Sequence, residues 1–286
     1  MSKISRVRLR CIDCAQPGLR WSEGELTCGS CGSTFPLRDG KLILDEPPEE
    51  IAEDPMDRLK HPLKRFRGLY RFLVYLFSPL YFDRTRRRFI DENVRGRGGI
   101  FVNLGSGNTD LGPEIINVDR APYDAVDVVC DIRRLPFPDG SVDGVLTISV
   151  LEHVPEVEEV LGEIRRVLRP GGLVYTDVPF VVGFHASPGD YRRWTYEGVR
   201  RLHRGFETVR IVNNGGPTSA LLWIFQEWVA VALSFGNRRL HTLVYLGAMC
   251  LTFPFKFLDF FLNRNPLSRN ISSCFIFIGR KPEDPA

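Results

Sequence analysis

The chain has 286 residues, of which 43% are hydrophobic and 26% are charged, and its formal net charge is +3. This composition is that of a folded globular protein, and it excludes a disordered chain, a collagen-like repeat and a coiled coil. Seven cysteines are too few for a disulfide framework in a chain of this length. The N-terminal stretch MSKISRVRLRC lacks the apolar segment of a signal peptide, so we expect a cytoplasmic protein.

Residues 1–45 carry two C-x-x-C pairs that are separated by 13 residues. Two such pairs can bring four thiolates into a tetrahedron, which is the closed geometry of a structural zinc site. A segment of about 45 residues buries too little apolar surface to fold alone, so zinc binding and folding should be coupled. The predicted zinc ligands are Cys11, Cys14, Cys28 and Cys31.

Residues 46–57 are acidic and rich in proline, which predicts a linker. Residues 58–97 then contain twelve Lys or Arg and three acids, interleaved with Phe and Tyr. A basic, aromatic, helical segment of this kind suits an anionic membrane surface. The same composition fits RNA phosphates and bases, or a helix that covers a sheet and leaves its charges in water.

Residues 98–215 alternate short apolar runs with helical patterns, which is typical of βαβ units. A helix is predicted over Pro155–Leu168, where apolar residues recur at helical spacing before Pro170 and two glycines. The right-handed crossover rule then gives a doubly wound parallel sheet. The predicted strands are Gly99–Leu104, Glu114–Val118, Val126–Cys130, Val142–Ser149 and Leu173–Val178.

Glycines and acids follow the first three of these strands. Gly105 and Gly107 let the backbone approach a ligand closely after the first strand. Asp119, at the end of the second, can accept hydrogen bonds from both hydroxyls of a ribose. Asp131 and Ile132, after the third, can present a carboxylate and a backbone N–H to an adenine edge. Because ligands of such sheets bind at the carboxyl ends of the strands, these residues predict a nucleotide site.

A dinucleotide site is the competing interpretation of the glycine turn. It requires G-x-G-x-x-G and an acid about 20 residues further on. Here Asp110 occupies the third glycine position, and Asp119 comes too early.

The segments NLGSGNT, NVD, DIRRLPFPDGSVDGVLTISVLEHV and RVLRPGG together resemble class I S-adenosylmethionine-dependent methyltransferases, over residues 99–178. The resemblance implies a seven-stranded, Rossmann-like α/β sheet of order 3-2-1-4-5-7-6, with SSCFIFIGRK as the antiparallel seventh strand. Asn103 stands where the family usually has an acid, and the short span from Gly107 to Asp119 implies a truncated first helix. The implied cofactor-binding residues are Asn103, Gly105, Ser106, Gly107, Asp119, Asp131, Ile132 and Ser149.

Two further resemblances refine this expectation. The short first crossover is similar to that of small-molecule and sugar methyltransferases, and so is the segment HASPGDYRRWTYEGVRRLHRGFE. The N-terminal stretch up to LRDGKLILD resembles small zinc-ribbon proteins that activate methyltransferases as partners. The resemblance therefore implies a zinc ribbon over residues 1–45 fused to a methyltransferase domain over residues 98–286.

Methyl transfer is an in-line displacement for which the protein mainly supplies alignment, but an oxygen or nitrogen acceptor must also lose its proton. The candidate groups lie in the loops after the fourth and fifth strands. We take His185 as the preferred base, together with Asp190 and Tyr191, and expect His153 to cap or orient its loop. The alternative for His185 is a hydrogen bond that merely holds its loop together.

Residues 217–262 form an apolar helical insertion before the last strand. Only five of the 44 residues from 219 to 262 are charged, and the longest uncharged run among them, residues 240–255, is short for a membrane span. We expect an enzyme that is peripheral on the inner face of a membrane and methylates a lipid-linked, sugar or other amphipathic acceptor. A homodimer interface is the alternative for this surface. The alternatives for the chain are an RNA methyltransferase and a cofactor-binding module without catalysis.

Overall fold

The computed structural model of the protein describes residues 3–22, 24–48, 84–186 and 188–283. Most of the predicted linker and residues 58–83 of the basic segment lie outside the described residues. The strands are β1 (Leu19–Ser22), β2 (Glu25–Cys28), β3 (Thr34–Arg38), β4 (Lys41–Ile43), β5 (Phe101–Leu104), β6 (Ile115–Asp119), β7 (Val128–Val129), β8 (Val142–Ile148), β9 (Leu168–Pro179), β10 (Glu207–Asn214) and β11 (Cys274–Arg280). The α-helices are α1 (Arg84–Asn93), α2 (Val157–Val167), α3 (Tyr196–Leu202), α4 (Pro217–Ser234), α5 (Arg238–Thr252) and α6 (Asp259–Leu262).

The strands form one mixed sheet in the order β1-β2-β3-β4-β7-β6-β5-β8-β9-β11-β10. The expected sheet of seven strands is therefore too small, because β4 of the cysteine module pairs in parallel with β7, with Leu42 opposite Val128. Counted from β5 as the first strand, the strands β5 to β11 lie as 3-2-1-4-5-7-6, and β11 is antiparallel to both neighbours.

The cysteine module, residues 3–45, shares its hydrophobic core with the rest of the sheet. Residues 105–114, which connect the parallel strands β5 and β6, contain no helix, as the short span predicts. Apolar residues of the module pack instead into the cluster that holds Val102 and Val118 of these strands. The module residues in that cluster are Ile4, Leu9, Cys11, Leu26, Cys28, Phe35, Leu42 and Leu44.

The opposite face of the sheet is covered by α1, the described end of the basic segment. Phe89 and Ile90 are buried against Phe101 and Tyr175, whereas Arg87 and Arg88 are exposed. For residues 84–93 the structure therefore matches the interpretation of a helix that covers a sheet and leaves most of its charges in water.

Helix α2 packs on the module side of the sheet, as its apolar spacing predicts. Val157, Val160, Ile164 and Val167 are buried at helical intervals. It ends at Val167, one residue before the predicted end. The fifth strand begins earlier than the predicted Leu173, because β9 starts at Leu168 and includes Pro170 and the two glycines.

Helices α4 and α5 form a hairpin between β10 and β11, which we call the apolar hairpin and define as residues 217–262. Asn237 caps α5 by accepting hydrogen bonds from the backbone N–H groups of Arg239 and Leu240. By length and composition alone, residues 238–262 could cross a membrane, and they are the one such stretch in the described residues. In the structure this stretch is not one straight helix, since a 3-10 turn over Phe253–Leu258 interrupts it.

Candidate active site

A cleft of about 720 Å³ opens at the carboxyl ends of β5, β6, β7 and β8. Six of the eight predicted cofactor-binding residues line it: Gly105, Gly107, Asp119, Asp131, Ile132 and Ser149. They meet because parallel strands end at the same edge of a sheet. The lining includes a glycine turn and the carboxylates of Asp119 and Asp131, which can form hydrogen bonds with an adenosine.

The glycine turn needs its glycines for two reasons. Gly105 and Gly107 have φ angles of 63° and 51°, in the left-handed region that side chains rarely adopt. A Cβ atom on Gly105 would lie 2.6 Å from the Val150 side chain. The backbone N–H of Gly107 donates to the Asp119 carboxylate at 2.8 Å, which ties the turn to the end of β6.

The Asp119 carboxylate is held in place from both sides. Oδ2 accepts the hydrogen bond from Gly107, and Oδ1 accepts one from the backbone N–H of Ala121 at 2.9 Å. A carboxylate can accept about four hydrogen bonds. Two of these remain for a ligand in the cleft.

Asp131 is held by an ion pair and by the cysteine module. Burial by itself raises the pKa of this carboxyl, but hydrogen bonds from the Arg133 side chain and backbone outweigh it, and the net pKa is lowered. The backbone N–H of Asp131 donates to Asp45 Oδ2 at 2.8 Å. The module thereby fixes the loop that lines the cleft after β7.

Two predicted cofactor-binding residues, Asn103 and Ser106, do not line the cleft. Asn103 is 2% exposed and donates to Asn117 on the neighbouring strand at 3.1 Å, so its amide is used within the sheet. Ser106 is buried, and its side chain does not line the cleft. Asn103 and Asn117 are cross-strand neighbours on β5 and β6, which explains why their amide side chains bond to each other.

Glu152, His153 and His185 come together at the edge of the cleft, and His153 also lines it. The Nε2 atoms of His153 and His185 lie 3.9 Å and 3.7 Å from Glu152 Oε1. Glu152 is fully buried, and its interaction with His185 is the largest cause of a raised pKa for that imidazole.

The predicted catalytic residues occupy three different environments. Asp190 is buried in an ion pair with Arg193; burial raises its pKa, but the Arg193 hydrogen bonds dominate and leave the pKa at about 2. It also accepts a hydrogen bond from the backbone N–H of His185, so it holds the His185 loop. Tyr191 lines the cleft and is 58% exposed.

Glu152 and His153 are among the candidates that the sequence places in the loop after the fourth strand, but only His153 was given a role there, that of capping or orienting the loop. The signal was present: both residues follow Ser149 directly after a strand whose end lies at the cleft.

The four cysteines of the module lie together. The sulfur atoms of Cys11 and Cys31 are 3.6 Å apart, and those of Cys14 and Cys28 are 3.7 Å apart. Four sulfur atoms on a tetrahedron with metal–sulfur bonds of about 2.3 Å would be separated by about 3.8 Å. The residues present therefore fit a zinc ion.

The sequence comparison assigns residues 106–176 to a family described as "Methyltransferase domain". A sterol 4-C-methyltransferase of Caenorhabditis elegans is 27% identical over 136 residues, which are 40% of this chain and 38% of that protein. A demethylmenaquinone methyltransferase of Thermus thermophilus is 30% identical over 120 residues, which are 34% of this chain and 54% of that protein.

Among solved structures, a phosphoethanolamine N-methyltransferase 2 of Haemonchus contortus, in complex with phosphomonomethylethanolamine and S-adenosylhomocysteine, aligns with a TM-score of 0.48 and 16% identity. The alignment covers 82% of this chain and 61% of that one. The chain thus spans about a third to a half of the two sequence relatives. The cleft lies within and beside residues 106–176, the segment that matches this family.

Proposed function

We propose that the protein is an S-adenosylmethionine-dependent methyltransferase that acts on a lipid-like acceptor at a membrane surface. The observation that carries the proposal is the cleft: the glycine turn, Asp119 and Asp131 line one cavity at the carboxyl ends of the strands. This is the arrangement that an adenosine with a methionine tail requires.

The chain's residues would divide the work as follows. Gly105 and Gly107 would lie beside the methionine part of the cofactor, Asp119 would accept hydrogen bonds from the ribose, and Asp131 with Ile132 would face the adenine. When bound, S-adenosylmethionine supplies an activated methyl group. Alignment of the acceptor with that methyl group is then the main task of the protein.

The acceptor's proton would be handled at the cluster of Glu152, His153 and His185. These three titratable side chains lie at the edge of the cleft, and the interaction with Glu152 raises the pKa of His185, which favours uptake of a proton by this imidazole. Asp190 and Arg193 would position the loop that carries His185.

The apolar hairpin favours a lipid-like acceptor. Trp223 of α4 lies beside His185, with ring centroids 6.0 Å apart. An acceptor that rests on the hairpin would therefore reach the proton-handling cluster. The names of the two sequence relatives, one for sterols and one for demethylmenaquinone, agree with an apolar acceptor.

The outer face of the hairpin suits the interface of an anionic bilayer. Its exposed large apolar residues include Trp228 at 65% and Phe261 at 70% exposure. The cations Arg238, Arg239 and Arg264 are also exposed on or beside it. Aromatic and aliphatic side chains with flanking arginines are the composition of an interfacial helix. We therefore propose that the enzyme lies on the inner face of a membrane.

The cysteine module completes the proposal with a structural zinc ion held by Cys11, Cys14, Cys28 and Cys31. Four thiolates leave no position open for a substrate, so this ion would stabilise the module and take no part in methyl transfer. Its contribution to the cleft is indirect, through Asp45 and the backbone of Asp131.

The test is transfer of a labelled methyl group from S-adenosylmethionine into fractionated lipid, glycan and RNA extracts. We expect label in the lipid fraction, and much less label with the Asp119→Ala protein at a low cofactor concentration. Label in RNA would establish the RNA alternative. Cofactor binding without transfer to any fraction would establish the non-catalytic alternative.

The membrane surface is tested by flotation with vesicles that contain anionic lipid. We expect Trp228→Glu with Phe261→Glu to abolish flotation, because each substitution places a charge where an apolar side chain would enter the interface. Val209→Glu is the matched control, since Val209 is an exposed apolar residue of β10 outside the hairpin. Equal flotation of both variants, or a dimer that the hairpin variant dissociates, would refute the membrane role.

A further inference from the structure

We propose that Glu152, His153 and His185 bind a divalent first-row transition-metal ion at the edge of the cleft. The three side chains each offer one ligand atom, and these atoms lie within 4.8 Å of one another. This site is separate from the four cysteines.

Glu152 is the first reason for the proposal. It is fully buried, and neither carboxylate oxygen has a hydrogen-bond partner among the described residues. A buried carboxylate without hydrogen bonds is costly unless a cation compensates it. Arg193, on the neighbouring loop, is taken by Asp190.

The orientation of the two imidazoles is the second reason. His153 Nδ1 contacts the backbone carbonyl of Gly189, and His185 Nδ1 contacts that of Gly183 at 3.0 Å. A carbonyl only accepts hydrogen bonds, so in both rings Nδ1 is the donor. The neutral rings then present the Nε2 lone pairs toward Glu152. A second-sphere hydrogen bond of this kind commonly fixes the tautomer of a metal-binding histidine.

Arg193 does not disturb this assignment. Its Nη2 atom lies 3.4 Å from His185 Nδ1, but it donates to the Gly183 carbonyl at 2.9 Å and to Asp190 Oδ2 at 2.7 Å. Those two acceptors use both of its protons.

The spacing is the third reason. The distances of 3.7 Å and 3.9 Å from the two Nε2 atoms to Glu152 Oε1 are too long for hydrogen bonds. Two ligands that each bind an ion at about 2.0–2.2 Å lie about 3–4.4 Å apart, depending on the angle between them. Two imidazoles with one carboxylate favour Mn²⁺, Fe²⁺, Co²⁺ or Zn²⁺ over Mg²⁺ or Ca²⁺.

The consequence for the reaction rests on the proposed function. Three protein ligands leave positions open toward the cleft, where an acceptor hydroxyl could bind the ion as an oxygen ligand. With its Nε2 bound to the ion, His185 would not take the proton itself, and the ion would instead favour loss of the hydroxyl proton to solvent. The oxygen would then form a bond to the methyl carbon while the carbon–sulfur bond breaks, and its electron pair would stay on sulfur as S-adenosylhomocysteine. The acceptor would accordingly be a hydroxyl compound.

The experiment is a titration of zinc-loaded full-length protein with Mn²⁺, followed by electron paramagnetic resonance. We expect one site in the native chain and an affinity loss of about 100-fold or more in Glu152→Gln and His185→Asn, because even second-sphere substitutions cost 10- to 100-fold. His241→Asn is the matched control, since His241 contacts Glu227 at 3.0 Å in the apolar hairpin without a third ligand.

Native-like circular dichroism would show that the variants fold. If Glu152→Gln does not fold because Glu152 is buried, His185→Asn still tests the proposal. The proposal is overturned if the native chain binds no Mn²⁺, Co²⁺ or Zn²⁺ beyond the four-cysteine site, or if both site variants bind as the native chain does. Calorimetry with S-adenosylhomocysteine on the same samples separates this failure from failure of the proposed function, since the cofactor residues are different ones.

Discussion

The cysteine module and the apolar hairpin lie toward opposite ends of the sheet. The module buries its apolar residues, whereas the hairpin leaves many of its apolar residues exposed. The module joins the sheet at β7 and buries Cys11, Leu26 and Leu42 almost completely. The hairpin follows β10 and leaves Trp228 and Phe261 more than 60% exposed. The comparison teaches that one addition completes the hydrophobic core, whereas the other leaves a large apolar surface exposed.

Polar contacts show the same difference. Lys3 pairs with Asp110 and Asp127, which ties the module to the loops around β6. Asp45 reaches the backbone of Asp131 beside the cleft. The hairpin's principal buried polar contact is internal, between Asp259 and the start of α4.

Among the substitutions that test this difference between the module and the hairpin, the loss of a zinc ligand is expected to have the largest effect. Zinc binding contributes on the order of 10–16 kcal/mol in small zinc modules, and here the module belongs to the common core. We expect Cys28→Ser to lose zinc, lower the melting temperature of the whole chain and weaken cofactor binding through the loop of Asp131.

Metal analysis and thermal unfolding measure this effect. Cys250→Ser is the control, because Cys250 is exposed in the hairpin. A Cys28→Ser protein that unfolds at the native temperature would show that the module is an independent appendage.

Asp259→Ala is the corresponding change in the hairpin. The carboxylate accepts hydrogen bonds from the backbone N–H groups of Gly216, Thr218 and Ser219 and from the Ser219 hydroxyl. We expect a loss of roughly 1.5–3 kcal/mol in the free energy of unfolding, because charged hydrogen bonds at a helix start are removed.

Hydrogen exchange locates the effect of Asp259→Ala. Faster exchange confined to the hairpin would sharpen the contrast with the module. Faster exchange across all strands would instead show that the hairpin also supports the core. Asp124→Ala, at an exposed aspartate, serves as the control.

Asp177, at the end of β9 and bonded to Asn214 before the hairpin, gives an effect that depends on pH. Burial raises the pKa of this carboxyl to about 7, although the Asn214 hydrogen bond lowers it. The unfolded value is about 3.9. Between these values the folded state binds more protons, so the contribution of Asp177 to stability is complete below about pH 4 and is lost as the pH rises toward 7.

The measurement is urea unfolding of the native chain and Asp177→Asn from pH 4 to 8. We expect the native free energy of unfolding to fall relative to the variant by up to about 1.4 kcal/mol per pH unit, and the difference to become constant above about pH 7. Parallel profiles would contradict the raised pKa. Asp91→Asn, on the exposed side of α1, should give a profile parallel to that of the native chain.

Much of the central sheet could be predicted because its strands are short apolar runs buried on both faces. The structure puts β5, β6 and β8 within about three residues of the predicted ends. The pairing of β4 with β7 could not be predicted, since local patterns do not say which distant strands meet. The predicted start of β9 was too late, because Pro170 and its glycines indicate a break in the strand locally. In the structure, Leu168 pairs with Val142 across a bulge, which extends the strand.

The cleft could be predicted where a residue's role follows from the end of a strand, as for Asp119 and Asp131. The position of Asn103 outside the cleft lining could not be predicted, because its hydrogen-bond partner, Asn117, lies on another strand. Glu152 was given no role because its burial beside two histidines depends on the loop of His185, which comes from a distant part of the chain.

Calorimetric titration with S-adenosylhomocysteine tests the central claim most directly, namely that this cleft holds the adenosyl cofactor. We expect one equivalent to bind the native chain, and we expect Asp119→Ala to weaken binding by roughly 1.5–3 kcal/mol, since charged hydrogen bonds to the ribose are lost. Absence of binding by the folded native chain, or equal affinity of the Asp119→Ala protein, would contradict it.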